Sequence, residues 1–226
     1  MFNKFMENPE ENMEKLLSQS TGKSLNIEEL IAKQVVAGVF SLYKKDSLIH
    51  AYNLSAAGTY PNLDNHYLTI PIVRTNKDDV CIVKFKAPNF PKAKKDFPTS
   101  DVRYFSLSQG DEMTYNYKTI ADYQFSVNPD GYVYVAIGTE TESLKAKAKA
   151  LNMNFMPWLV GDKMMLIYRH MLPNPNYKNG TNSVPAMDKS KSPNEQSGDK
   201  AIGEYAPVGF FFNKDTFLNS KTIPKF

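Results

Sequence analysis

Asp101-Val102-Arg103-Tyr104-Phe105-Ser106-Leu107 is the stretch whose reading decides the fold. Its side chains alternate with the period of two expected of a half-buried β-strand. It also carries one of only three arginines, in a chain that otherwise uses lysine for its positive charge. Short aromatic strands of the same kind flank it on both sides.

Working outward, residues 67–74 form a strand with Pro71 inside it, which predicts an edge or a bulge because proline cannot donate to a ladder. Asn76-Lys77-Asp78-Asp79 reads as a turn. In residues 80–87, Cys81, Val83 and Phe85 face one way and Ile82, Lys84 and Lys86 the other, so strands 67–74 and 80–87 are expected to pair as a hairpin. Residues 88–98 form a loop rich in Pro and Lys, and residues 115–124 supply another strand or two.

Asn128-Pro129-Asp130-Gly131 is the strongest turn signal: Pro presets one turning residue and Gly accepts positive φ. The cleanest strand, 132–137, follows. Residues 142–151, rich in Ala, Lys and Leu, predict a short helix. Residues 164–171 are apolar on both faces, as in a central strand.

Upstream, Asn26 can cap a helix with Glu29 at the third position. Leu30, Ile31, Val35, Val36, Val39 and Phe40 then recur at helical spacing. The expected organisation is an N-terminal helical segment over 1–45 and a β-domain over 46–226. The polar residues near 173–203 read as a flexible loop. Many short strands with few helices, and no alternating βα units, predict a mainly β protein: an antiparallel, jelly-roll-like β-sandwich.

Composition narrows the function classes. The 226 residues carry 27 Lys plus Arg and 24 Asp plus Glu, a net charge of +3 that argues for no nucleic-acid partner. The one clustered group, Lys84, Lys86, Lys92, Lys94 and Lys95, reads as a solvated edge and loop. Cys81 is the single cysteine, so neither an internal disulfide nor a cysteine metal site can form, and its apolar strand predicts an inert thiol. No run of about 18 apolar residues predicts a transmembrane helix. The first nine residues lack the apolar core of a signal peptide. P-loop, dinucleotide and nucleophile-elbow motifs are missing. His50, His66 and His170 show no two-histidine metal spacing, so neither a cofactor nor a metal is expected.

The candidate site residues are polar groups set within apolar strands. Arg103 and Arg169 can each hold a carboxylate in a planar fork that Lys cannot reproduce. Either they form buried structural pairs with Asp122 or Asp64, or they clamp an anion in a pocket. Asp64-Asn65-His66-Tyr67 is either a turn bonded to its own backbone or a pocket rim. Tyr104 and His170 adjoin the two arginines. The only tryptophan, Trp158, is read as core, with stacking on a sugar as the alternative.

Several of these stretches together resemble an uncharacterised family of bacterial, often secreted, proteins. They are Tyr60-Pro61-Asn62-Leu63-Asp64-Asn65-His66-Tyr67, Lys86-Ala87-Pro88-Asn89-Phe90-Pro91 and Arg103-Tyr104-Phe105-Ser106. Ala121-Asp122-Tyr123-Gln124, Asp130-Gly131-Tyr132, Met156-Pro157-Trp158-Leu159 and Arg169-His170-Met171-Leu172-Pro173 follow. The match runs in order over roughly 50–219. The chain is also similar to the paired domains of unknown function with N-x-D-T-x-Y and W-L-P motifs. Phe105 stands where that family usually has Trp, and the Pro and Trp of 156–159 are rearranged. The resemblance implies a jelly-roll-like sandwich and an extracytoplasmic home, and it implies no reaction.

Three functions fit these residues. The first is a binding module for a small anionic or sugar-like ligand, using Asp64, Asn65, His66, Tyr67, Arg103, Tyr104, Asp122, Arg169 and His170. The second is a hydrolase or lyase at the same place, with His66 or His170 as acid or base and an arginine stabilising developing charge. The third is a structural envelope or interaction protein with no small ligand.

Overall fold

A computed structural model describes residues 38–55, 65–111, 115–188 and 190–226. Among the described residues nine strands build two facing sheets. Five of them, β1 (Ile49–His50), β3 (Asp79–Lys86), β6 (Tyr132–Gly138), β7 (Asn154–Pro157) and β9 (Val208–Asn213), lie in the order β1-β9-β3-β6-β7. The others, β2 (Asn65–Val73), β4 (Tyr104–Gly110), β5 (Asn116–Ala121) and β8 (Lys163–Met171), lie in the order β2-β8-β4-β5. The antiparallel pairs β1·β9, β2·β8, β3·β6 and β4·β5 are nested one inside the next. That nesting is a long ribbon folded over into two sheets, the jelly-roll arrangement. β7 is an addition. It joins β6 in parallel, and parallel strands need a crossover. The expected short helix, α1 (Glu142–Ala150), supplies it.

The period-2 pattern fills the space between the sheets. Cys81, Val83, Phe85, Val133, Val135 and Ile137 meet Leu68, Ile70, Ile72, Leu166, Phe105 and Leu107 in one core. Phe85 anchors it, edge-on to Phe105 (6.2 Å) and Phe125 (5.8 Å) and tilted against Tyr168 (4.7 Å). The outward-facing Val80, Ile82 and Ala136 are covered by Leu144 and Ala148 of α1 and by Phe217 of a C-terminal helix, Lys214–Asn219. Thr141 caps α1 by accepting the Leu144 N–H at 3.3 Å.

β2 and β3 do not pair with each other. β2 pairs β8, and β3 lies between β6 and β9 in the other sheet, so the turn at 76–79 crosses from sheet to sheet. Alternation marks which side chains enter the core, and it reads the same whether the next strand lies beside or across. β2 is an edge strand, as Pro71 indicated. Thr69 exchanges both backbone bonds with Tyr52 outside the sheet, at 2.8 and 2.9 Å. Pro71 shares that outward phase, where no ladder donor is required.

The amphipathic helix expected upstream lies outside the described residues except for its end at 38–40. There Val39 and Phe40 pack with Tyr52, Leu54 and Met165 on the outer side of the four-stranded sheet. The polar 173–203 stretch is a series of short turns plus α2 (Gly198–Ile202), and it buries Thr181, Val184, Ser197 and Ile202 against the sandwich. Among the described residues no helix is long and apolar enough to cross a membrane.

Candidate functional site

The register of the four-stranded sheet sorts the candidate residues onto two faces. On the outer face Tyr67, Arg169 and Ser106 lie side by side across β2, β8 and β4. Asn65, Met171 and Tyr104 form the next row. Directly opposed side chains on one sheet face are about 5 Å apart at Cβ, and diagonal ones about 7–8 Å. Asn65, Tyr67, Tyr104 and Arg169 are therefore one cluster. Ser108 and Thr119, joined at 2.9 Å, and Tyr117 extend the polar face toward β5.

Arg169 is half-buried, and among the described residues it has no ion-pair partner. Its Nε is sealed from solvent without a hydrogen bond, as is Asn65 Oδ1. Both atoms are buried polar groups without a partner among the described residues.

His66 and His170 are directly opposed on the inner face. His170 is fully buried, and its Nδ1 accepts the Thr181 backbone N–H at 3.2 Å. Burial, helped by the neighbouring His66, lowers its pKa from 6.5 to about 3, so the ring is neutral. His170 and Arg169 are consecutive in β8 and cannot serve one pocket, because successive side chains leave opposite faces.

Arg103 and Asp122 are elsewhere. The expected strand at 101–107 begins only at Tyr104, and Arg103 precedes it, exposed, with its guanidinium 4.5 Å over the Phe97 ring. It borders an open groove of about 370 Å³ with Phe97, Pro98, Leu172 and Pro173. Asp122 is not in a strand but opens a 3-10 turn (Asp122–Gln124) directly after β5. Its carboxylate accepts the Tyr123 N–H at 2.7 Å, and the Phe105 amide, one step beyond the last β4–β5 pair, adds a favourable electrostatic influence. Burial raises its pKa, against the lowering effect of those amides and of Lys92. It pairs with neither arginine among the described residues. Asp64 lies outside the described residues.

The remaining arginine, Arg74, lies 4.3 Å over the ring of Trp158, whose Nε1 donates to Gly161 O at 2.7 Å. Trp158 is buried and thus packs rather than offering a free stacking face. Cys81 is completely buried and its thiol pKa is pushed up by desolvation, which makes it inert. No group of three or more metal-ligating His, Cys, Asp or Glu occurs among the described residues.

Sequence reasoning passed over Tyr168, Tyr177, Thr181 and Tyr205, which gather around His170. The one available signal was parity: Tyr168 shares the inward phase of His170.

No family model matches the chain, and no curated protein does either. Among solved structures, an uncharacterised protein from Burkholderia cenocepacia aligns with 90% of this chain at 10% identity and a TM-score of 0.45. The VPA0106 protein from Vibrio parahaemolyticus aligns with 66% at 15% identity and a TM-score of 0.38. The aligned parts span 57% and 31% of those two proteins.

Proposed function

We propose that this protein is a binding module for a small anionic, sugar-like ligand held on the outer face of the four-stranded sheet. The observation that carries the reading is Arg169. It is half-buried at the centre of the sheet, without a carboxylate among the described residues, between Tyr67 and Ser106 and diagonal to Tyr104. A guanidinium forks onto a carboxylate, tyrosine rings offer apolar faces to a pyranose, and the Asn65 amide supplies a partner for a hydroxyl. A sugar acid carries all the matching groups. The hydrolase or lyase reading has less support, since the inner-face phase of His66 and His170 leaves this surface without a histidine acid or base. The resemblance to secreted bacterial proteins supports an extracytoplasmic setting for such a module.

Calorimetric titration with galacturonate, against galactose as the uncharged control, tests the proposal. Galacturonate should bind, and Arg169→Ala should weaken it roughly 10- to 100-fold, the range for a lost charged hydrogen bond. Arg169→Lys should recover only part of the affinity while the circular dichroism of both variants stays native. Equal binding by wild type and Arg169→Ala sinks the reading, as does no binding by galacturonate.

A further inference from the structure

Between the sheets, at the end where β3 and β8 finish and β4 and β6 begin, four polar atoms are sealed from solvent. Tyr168 OH, His170 Nε2, Tyr177 OH and Thr181 Oγ1 have no hydrogen-bond partner among the described residues. Tyr168 and His170 are 0% exposed, Thr181 1% and Tyr177 9%. They belong to one cluster. The His170 ring is 4.8 Å from Tyr168 and 6.2 Å from Tyr177, and Thr181 is tied to His170 through its backbone. Buried polar groups in folded proteins are almost always satisfied, and four orphans in one place call for a guest.

Any guest at these four atoms is selected by charge. Since Nδ1 of His170 accepts from Thr181, the ring proton sits on Nε2, which is a donor. Burial pushes the Tyr168 and Tyr177 phenols above their ordinary pKa, so both keep their protons. Every orphaned group is therefore neutral. Asp101, the carboxylate whose charge reaches Tyr177, would repel an anion. Desolvating a charged guest here would go uncompensated. Hydroxyl groups both donate and accept, and they match a guest that does the same.

A surface turn packs against this cluster. Tyr205, half-buried, meets Tyr177 edge-on at 5.8 Å. It ends a 3-10 turn, Gly203–Tyr205, entered through Gly203 at φ +58°. Glu204 fastens that turn to the other sheet through Lys86 and the Tyr132 hydroxyl, and these contacts are exposed.

We propose that Tyr168, His170, Tyr177 and Thr181 form an internal site for a small neutral polyol, covered by the Gly203–Tyr205 turn. It is independent of the outer-face site at Arg169.

The test is NMR of the full chain with 15N-labelled histidine, following the His170 Nε2–H signal during titration with erythritol and glycerol, and with acetate as the charged control. Millimolar concentrations stay below those at which polyols stabilise proteins by exclusion. At least one polyol should shift the signal saturably and raise Tm by roughly 3–6 °C at about ten times its Kd. Tyr168→Phe should weaken binding about tenfold, and Thr181→Val gives the same readout should that variant not fold. Glu204→Ala should speed release while changing Kd little. A His170 signal unmoved by either polyol would mean that the cluster holds water only and would overturn the proposal. Tighter binding of acetate, or polyol binding lost in Arg169→Ala but kept in Tyr168→Phe, would overturn it equally.

Discussion

His170 Nδ1 accepts the backbone N–H of Thr181 at 3.2 Å, and this contact excludes the imidazolium form, in which both ring nitrogens carry protons. One hydrogen bond thus links the central strand β8 to the irregular 173–203 segment and fixes the ring's tautomer. That fixed tautomer has a consequence for stability in acid.

Acid should destabilise the protein through His170. Its folded pKa is about 3 against 6.5 for the free group, so the unfolded chain takes up a proton that the folded one refuses. Stability is unaffected by this group above about pH 6.5. It falls as pH drops from there toward about 3, by at most roughly 1.4 kcal/mol per pH unit. His170→Asn keeps an acceptor for Thr181 and removes the titration. Urea unfolding between pH 7 and 4 should give a shallower decline in the variant than in the wild type. Parallel curves for the two proteins would contradict this account.

Phe85→Ala should be among the most damaging core substitutions. The ring is fully buried and touches aromatic side chains from the facing sheet and from the loop after β5. Truncation leaves a cavity in a core assembled from both sheets, and the expected cost is about 3–5 kcal/mol. A denaturation midpoint close to that of the wild type would show that the sheets can close over the gap.

Asp122→Ala should cost about 1–3 kcal/mol, the range for stranding a buried amide. The carboxylate accepts the Tyr123 amide just past the end of the β4–β5 ladder. Asp122→Asn keeps the acceptor oxygen and should recover much of the loss. Chemical denaturation of both variants distinguishes this local role from a function in ligand binding.

Gly131→Ala should cost about 1–2 kcal/mol, since Gly131 has φ +83° and its Cβ would have space but no favourable backbone conformation. The turn bond from Gly131 N–H to Asn128 O, 2.8 Å, depends on that conformation. Thermal unfolding should show a loss of a few degrees with unchanged ligand binding.

The sequence by itself determined the local level. Alternation in 80–87 and 132–137 marked which side chains enter the core, and the composition of 142–151 marked the helix. Pro71 narrowed its strand to an edge or a bulge, and Gly131 placed a turn. Each is a property of a residue and its near neighbours, set by backbone sterics and by period. Only the tertiary structure decided which strands pair, because β2 and β3 present the same alternation whether they lie in one sheet or in two.

The tertiary structure also divided the candidate residues. Arg169 and His170 stand together in the sequence and on opposite sides of a sheet in the fold, while Arg103 and Asp122 are carried off to a loop and a turn. Tyr168, His170, Tyr177 and Thr181 meet only because the 173–203 segment folds back over the end of the sandwich. Contacts between residues on separate elements depend on that path, and a periodic pattern carries no information about it.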